Sequence, residues 1–292
     1  MKEWNATMKP IVTALIALVA LSGAAVAQVA TPLVSVEWAV ANIGKPGIVF
    51  LDVRGELAGA SKEDYKRGHI PGAVHFDIDE IADTSSDLPH MLPDSVKFSA
   101  RIRKLGVGDG NRIIVYDQNR FFASARVWWM LRVMGHTDVR VLDGGLHAWV
   151  AAGGELEDLP PVVSERHFTP RVRTDLVMDA DGLEKLVGTA RMTIVDSRPD
   201  GRFFGRDPEP RKGLASGHIP GSVNLPGSAL ITEDGHMKTA DKLARLFKDP
   251  KAPTVTTCGS GVTAAIAALA LARLGNWDVA VYDGSWTEWA SD

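Results

Sequence analysis

The chain has very little cysteine: Cys258 is the single one among 292 residues. Without a second thiol, no intramolecular disulfide can form, and a zinc site built from cysteine pairs is excluded. The eight histidines are scattered and show no His-x3-His spacing, so we expect neither a metal nor another cofactor. The thiol therefore either pairs with a partner chain or acts chemically.

A strong charge of either sign is also missing. The formal net charge is −4, from 32 basic and 36 acidic side chains. Removal of the first 27 residues would leave 30 basic and 35 acidic side chains, still a mild acidity. Such a balance speaks against nucleic acid or an anionic membrane as a partner and leaves small-molecule chemistry as the expectation.

Long apolar runs are lacking as well, because the longest at the N-terminus, Ile11–Leu21, is shorter than the about 20 residues that a membrane-spanning helix needs. It follows Lys2 and Lys9 and precedes Ala25-Val26-Ala27, a small-x-small cleavage pattern. This pattern predicts a secretory signal peptide over residues 1–27, with an uncleaved membrane anchor as the alternative. We therefore expect an exported, periplasmic protein of 265 residues, without stable membrane association after cleavage.

The rest of the chain repeats itself, with matching segments 140 to 149 residues apart. The pairs are Val49–Arg54 with Thr193–Arg198, Gly68–Val74 with Gly217–Val223, Ile114–Asp117 with Val255–Cys258, and Leu142–Gly145 with Tyr282–Ser285. The repeat predicts two copies of one domain, at 33–150 and 176–292. The segment 151–175, rich in proline, glycine and charge, is predicted to be the linker.

Each copy alternates β-branched segments with helical patterns, which predicts an α/β fold with a parallel sheet covered by helices on both faces. In the first copy the predicted elements are strands at 48–53, 112–116 and 139–142 and helices at 95–105 and 123–134. In the second copy they are strands at 192–196, 254–257 and 279–282 and helices at 240–246 and 263–274. Ligands of such sheets bind beyond the carboxyl ends of the strands, where Cys258 lies.

The residues around Cys258 indicate a reactive thiol. The thiol stands between a strand and a helix, in a turn that contains Gly259 and Gly261. Backbone N–H groups from Gly259 to Thr263 and the positive end of the helix dipole would favour the thiolate. The alternative is a buried cysteine that serves as a small hydrophobe. Phosphatase chemistry is excluded, because the arginine of a Cys-x5-Arg loop is replaced by Ala264.

These features resemble the tandem rhodanese-like sulfurtransferases over nearly the whole chain after residue 27. A Gly-His-Ile-Pro-Gly turn occurs in each copy, at 68–72 and 217–221, while the cysteine occurs only in the second. The loop 258–263 is similar to that of 3-mercaptopyruvate sulfurtransferases, since thiosulfate-preferring relatives usually carry basic residues just after the cysteine. Asp117 occupies the cysteine position of the first copy and cannot carry a persulfide, so the first domain should not turn over.

The resemblance implies an enzyme that moves a sulfane sulfur from 3-mercaptopyruvate, through a persulfide on Cys258, to cyanide, a thiol or thioredoxin. Two alternatives stay open. One is the same enzyme with thiosulfate as donor. The other is a carrier or redox-partner protein that holds the persulfide without fast turnover.

The resemblance also implies roles for particular residues. Arg202 and Arg211 match the pair that binds the α-keto carboxylate, although an isolated loop arginine is more often a solvated charge. Asp79 and His90 match two residues that form a polar chain with the serine at Ser260. A loop histidine is more often structural, and a turn serine can be chosen for conformation.

The loop itself supplies the expected sulfur contacts through backbone N–H groups, which would act as an oxyanion hole does. These groups include those of Gly259, Gly261, Val262 and Thr263. Arg198 is expected to make structural pairs at a strand end. His69 and His218, present in both copies of the turn, are expected to lock that turn.

Overall fold

The computed structural model describes residue 1 and residues 31–118 and 120–291. The predicted signal peptide at 1–27 lies, apart from Met1, outside the described residues. In the described part of the chain, no helix is both long and apolar enough to cross a membrane. Residues 31–292 form one compact unit.

Two parallel five-stranded sheets organise this unit, in the orders β1-β5-β4-β2-β3 and β6-β10-β9-β7-β8. The strands of the first sheet are β1 Leu33–Val34, β2 Ile48–Asp52, β3 Val74–His75, β4 Arg112–Tyr116 and β5 Val139–Leu142. Those of the second are β6 Val177–Met178, β7 Thr193–Asp196, β8 Val223–Asn224, β9 Thr254–Thr257 and β10 Ala280–Tyr282. The identical order confirms the predicted α/β fold of two tandem copies.

Eleven α-helices in the described residues connect the strands. They are α1 Val36–Asn42, α2 Lys62–Arg67, α3 Ile78–Ile81, α4 Ser95–Lys104, α5 Ser124–Val133, α6 Gly145–Ala151, α7 Ala180–Glu184, α8 Asp200–Phe203, α9 Ala240–Ala244, α10 Ala264–Arg273 and α11 Ser285–Trp289. Polar side chains cap the N-termini of several helices. Ser35 accepts the N–H of Trp38 at the start of α1, and Asp94 accepts two N–H groups at the start of α4.

Alternating residues of the first sheet lie in two different cores. On one face, Leu51 and Val115 belong to a core that continues through α5 and α10 into the second domain. On the other face, Phe50 and Ile114 pack with residues of α1 and α6. Both faces are therefore covered, as expected for a parallel sheet, and the shared core makes α5 and α10 the contact between the two domains.

A buried ion pair lies at the carboxyl end of β2 in the first copy and at the carboxyl end of β7 in the second. Arg54 pairs with Asp52 at 2.7 Å, and Arg198 pairs with Asp196 at 2.6 Å. Each guanidinium also donates to the carbonyl that opens the Gly-His-Ile-Pro-Gly turn, of Gly68 in one copy and of Gly217 in the other. The pair thus ties this turn to the carboxyl end of the strand, the structural role expected of Arg198.

The two turn histidines also make matching contacts. His69 stacks on Tyr65 and contacts its carbonyl oxygen at 2.9 Å, and His218 does the same with Phe203. His69 is fully buried, and neither ring lines the cavity beside Cys258. These contacts fit the expectation that the two histidines lock the turn.

The segment predicted as a linker lies along the first domain. Glu157 forms an antiparallel bridge with His69, and its carboxylate accepts the N–H of Gly72. Further along, the carbonyl of His167 accepts the N–H of Asp109 at 2.8 Å, and the N–H of Arg171 reaches Met134. These backbone contacts hold the segment against the domain that precedes it.

Candidate active site

Cys258 lies one residue beyond β9, at the carboxyl edge of the second sheet. Its strand pairs with β7, so that Thr257 is in register with Asp196. The side chain is only 2 % exposed, yet it lines a cavity of about 400 Å³. A reagent that reaches this thiol must therefore enter the cavity, which lets the protein select what reacts.

The backbone of the cysteine loop is held in place by Ser285. The hydroxyl of this residue accepts the N–H of Cys258 at 3.2 Å and the N–H of Gly261 at 3.0 Å, and donates to the carbonyl of Tyr282 at 2.7 Å. Ser285 is fully buried and has a φ of 52°, in the left-handed region that glycine prefers. The matching residue of the first copy is Gly145, with a φ of 59°.

The structure differs from the expectation at Gly261. Its N–H points to Ser285 and is not available to a sulfur atom, so its contribution is conformational. The residue has a φ of 72°, and a Cβ there would lie 2.6 Å from the carbonyl oxygen of Asp283. Gly261 is needed for the close approach of two backbone segments.

The other N–H groups of the loop remain open. In the described part of the chain, no protein acceptor takes the N–H groups of Gly259, Ser260, Val262 and Thr263. All four residues also line the cavity beside the thiol. Unpaired donors around one sulfur atom form a site for a negative charge on that sulfur.

Arg202 and Arg211 both reach this loop. A Cβ added to Gly259 would lie 3.0 Å from Nη2 of Arg202 and 3.8 Å from Nη1 of Arg211, so any side chain there would crowd both guanidinium groups. Nη2 of Arg211 also donates to the hydroxyl of Ser260 at 3.4 Å. The two arginines predicted from the sequence thus stand together beside the cysteine loop.

Glu209 is a site residue that the sequence analysis missed. Its carboxylate is almost fully buried and bridges two arginines: Oε1 accepts from Arg198 at 2.8 Å, and Oε2 pairs with Arg202. It compensates one positive charge at the cavity wall and fixes the orientation of Arg202. The acidic residue between two arginines was visible in the segment 200–211, but its partner could not be assigned.

Asp79 and His90 form the pair that the resemblance implied. Nδ1 of His90 lies 2.8 Å from Oδ1 of Asp79, and the imidazole is mostly buried. Burial lowers the pKa of His90 below its usual value, outweighing the opposite effect of Asp79, and the nearby charges of Arg211 and Arg126 act in the same direction as burial. His90 is therefore held largely neutral near pH 7.

The third member of the expected chain is not in hydrogen-bond contact with this pair. Among the described residues, the hydrogen bond of the Ser260 hydroxyl is the one from Arg211, and none joins it to His90. The structure therefore brings Asp79 and His90 together and places Ser260 beside Arg211.

Arg126, a second residue missed by the sequence analysis, connects the two domains behind the cysteine loop. It lies in α5 with no exposed side-chain surface and pairs with Asp283 of the second domain at 2.6 Å. Its guanidinium also donates to the carbonyl of Gly261 at 3.2 Å and to that of His90 at 2.6 Å. One cation thus holds the loop that carries His90 against the loop that carries Cys258.

Each domain contributes a loop that contacts the other domain. The N–H of Leu92 donates to Asp283 at 2.8 Å, and the N–H of Met237 donates to Asp143, the matching aspartate of the first domain, also at 2.8 Å. His236 lies 3.6 Å from Asp143. Each domain therefore places a His-Met segment over the other domain's loop. The carbonyl of His90 is tied to the cysteine loop through Arg126, but neither His90 nor Asp79 lines the cavity beside Cys258.

In the first domain, Asp117 occupies the place of the cysteine. Its carboxylate accepts the N–H groups of Ala123 and Ser124 and the Ser124 hydroxyl, all at 3.0 Å. Burial raises the pKa of Asp117 to about 6. The donors that would face a sulfur atom are occupied by the protein's own carboxylate, which fits the expectation that this domain does not turn over.

The arrangement is that of a cysteine-based site for an anion, assembled on two copies of one α/β domain. In the described residues, no group of three or more His, Cys, Asp or Glu side chains is placed to hold a metal ion.

The chain belongs to the rhodanese-like domain family, whose pattern it matches twice, over residues 35–152 and 179–292. It is 39 % identical over 271 residues to the 3-mercaptopyruvate sulfurtransferase of Escherichia coli K12, covering 89 % of this chain and 95 % of that protein. It is 40 % identical over 235 residues to the thiosulfate sulfurtransferase of Gallus gallus, covering 78 % and 81 %.

The fold agrees with this assignment. A crystal structure of a 3-mercaptopyruvate sulfotransferase from Escherichia coli superimposes with a TM-score of 0.79 at 36 % identity, covering 88 % of this chain and 99 % of that one. The resemblance to tandem rhodanese-like sulfurtransferases is thereby confirmed, and the chain is a sulfurtransferase.

Proposed function

We propose that this sulfurtransferase takes its sulfur from 3-mercaptopyruvate and passes it, through a persulfide on Cys258, to a thiophilic acceptor. The observation that carries the proposal is the lone thiol itself. It is 2 % exposed inside a cavity, beside unpaired N–H groups and within a loop that two arginines contact.

In the first half-reaction, the Cys258 thiolate attacks the sulfur of the donor. A bond forms between Sγ and that sulfur, the carbon–sulfur bond of the donor breaks, and its electron pair passes to the enolate of pyruvate. The enolate takes up the proton that the donor's thiol loses, which leaves the outer sulfur anionic. The open N–H groups of the loop stabilise the charge on the outer sulfur. Neutral His90, oriented by Asp79, is the group that we propose to carry this proton from the donor's thiol to the enolate.

The charges of the cavity favour a donor with one carboxylate. Arg202 is compensated by Glu209, and Arg198 by Asp196, so that Arg211 is left on this wall without a carboxylate partner among the described residues. Beside the cysteine loop, a single uncompensated cation suits the one carboxylate of the monoanion mercaptopyruvate better than it suits the dianion thiosulfate. Basic residues next to the cysteine, which would add charge, are replaced by Gly259 and Ser260.

The donor comparison tests this proposal. We expect kcat/KM with cyanide as acceptor to be higher for 3-mercaptopyruvate than for thiosulfate. Arg211→Ala should raise the KM for mercaptopyruvate about tenfold or more, because it removes a charge-assisted contact. Arg206→Ala is the matched control, since Arg206 is exposed and pairs with Asp200 away from the cavity. A clear preference for thiosulfate would overturn the choice of donor.

We also propose that the chain is exported to the periplasm, with a thiol such as that of thioredoxin among its acceptors, and that it does not remain attached to the membrane. The support is the basic, apolar and small-residue order of the first 27 residues. Cell fractionation followed by N-terminal sequencing should find a mature chain that begins at Gln28. A chain that stays in the cytoplasm with its first 27 residues would contradict export.

A further inference from the structure

The cavity beside Cys258 has a second wall, contributed by the first domain. Leu57, Arg120 and Phe122 of that domain line it together with the cysteine loop. Arg120 is exposed, and among the described residues no carboxylate lies within ion-pair distance of its guanidinium. It is a free positive charge at the edge of a reactive site.

The backbone that carries Arg120 is in an uncommon conformation. Arg120 has a φ of 68° and Phe121 a φ of 60°, both in the left-handed region that non-glycine residues rarely adopt. Phe121 is 1 % exposed and anchors the turn in the core, while Phe122 stays 37 % exposed at the cavity. Such strain persists where the surroundings impose it, and it is concentrated at functional sites.

We infer that Arg120 binds an anionic group of the sulfur acceptor and that the acceptor is a small thiol that carries a carboxylate. The inference rests on the proposed function, in which the single carboxylate of the donor is bound by Arg211 beside the cysteine loop. The donor therefore leaves Arg120 unused. A second anion, present in the second half-reaction, is the ligand that its free charge fits.

In that half-reaction, the acceptor loses its thiol proton to solvent, and its thiolate attacks the outer sulfur of the Cys258 persulfide. A new sulfur–sulfur bond forms on the acceptor, the bond from Sγ to the outer sulfur breaks, and its electron pair returns to Sγ. No external oxidant or reductant is consumed. Arg120 would hold the acceptor's carboxylate while its sulfur points to the thiol.

Persulfide discharge measures this contact separately from donor use. The persulfide is prepared with 3-mercaptopyruvate, freed of donor by gel filtration, and mixed with glutathione or with glutathione diethyl ester, which has the same thiol without the carboxylates. We expect Arg120→Ala to slow discharge by glutathione about three- to fivefold and Arg120→Glu to slow it further. Discharge by the ester should not be slowed, and added salt should reduce the difference between the two thiols.

Arg206→Ala removes an exposed arginine away from the cavity and should change neither rate. Equal slowing of both thiols, no slowing of either, or a wild-type persulfide that only a protein dithiol such as thioredoxin discharges would overturn the inference. So would an effect of Arg120→Ala on persulfide formation, which would make Arg120 a donor contact. Failure of the persulfide to form at all contradicts the proposed function instead.

Discussion

The contact of Arg126 with Asp283 makes a quantitative prediction. Both side chains are buried, with 0 % and 7 % of their surface exposed, and their charged atoms lie 2.6 Å apart. Removing one partner of such a pair leaves an uncompensated buried charge, which costs ~3–5 kcal/mol. Arg126→Met should therefore lower the free energy of unfolding by about 3–5 kcal/mol, and Asp283→Asn should also destabilise the protein.

The double variant distinguishes an ion pair from two separate defects. Each single change leaves the other charge buried without its partner. The double variant Arg126→Met/Asp283→Asn should therefore lose about 2–3 kcal/mol less free energy of unfolding than the sum of the two single variants. Urea unfolding followed by tryptophan fluorescence and circular dichroism measures all three values. Additivity within about 0.5 kcal/mol would refute the ion pair as the source of stability.

A matched control lies on the same helix. Arg132 is also mostly buried and stacks on Trp128 and Trp277, but it forms no ion pair among the described residues. Arg132→Met should keep the sulfur-transfer rate, whereas the Arg126 variants should lower kcat even in the double variant, because the carbonyls of Gly261 and His90 lose their common donor. A double variant that is stable and also keeps the wild-type kcat would limit Arg126 to a structural role.

Three further predictions concern Ser285, Asp79 and Asp117. Ser285→Gly keeps the left-handed backbone but leaves two N–H groups of the cysteine loop without their acceptor. We expect kcat to fall at least tenfold while the circular dichroism spectrum stays native. An unchanged kcat would show that the loop keeps its conformation without the Ser285 hydroxyl. Asp79→Asn removes the carboxylate that raises the pKa of His90, so the acidic limb of the pH profile of kcat/KM should move to lower pH; a shift to higher pH would contradict the pairing. Since burial raises the pKa of Asp117 from 3.8 to about 6, its protonated form is favoured in the fold and the protein loses stability as pH rises through this interval, by about 3 kcal/mol in all. In urea unfolding, the stability of Asp117→Asn relative to the wild type should increase from pH 4 to pH 7. A difference in the free energy of unfolding that does not change with pH would contradict the raised pKa.

The central strands could be predicted from the sequence, while the edge strands could not. β4, β5 and β9 have the predicted bounds, because β-branched and apolar residues fill strands that are buried on both faces. β1, β3, β6 and β8 have two residues each, and their pairing partner, rather than their own composition, makes them strands. Two residues carry no readable periodicity.

The candidate site could be predicted where it follows one motif and not where it depends on distant pairs. Cys258 and Arg211 lie in motifs of their own domain, and the structure places them at one cavity. Arg126 of α5 and Asp283 of the second domain meet only because the two domains pack against each other, which no local pattern encodes. Ser285 could have been noticed in the sequence, because the repeat aligns it with Gly145. Both residues have a positive φ, and a serine at a position that favours glycine indicates that its side chain has a role.

The most direct test of the account is the intact mass of the protein after addition of 3-mercaptopyruvate. We predict that one sulfur atom, about 32 Da, is added to Cys258, that pyruvate is released in equal amount, and that a thiol acceptor restores the original mass. Cys258→Ser should show neither adduct nor pyruvate. Pyruvate release without an adduct, or an adduct on the Cys258→Ser protein, would contradict the persulfide mechanism, and an adduct that no acceptor removes would favour a persulfide carrier.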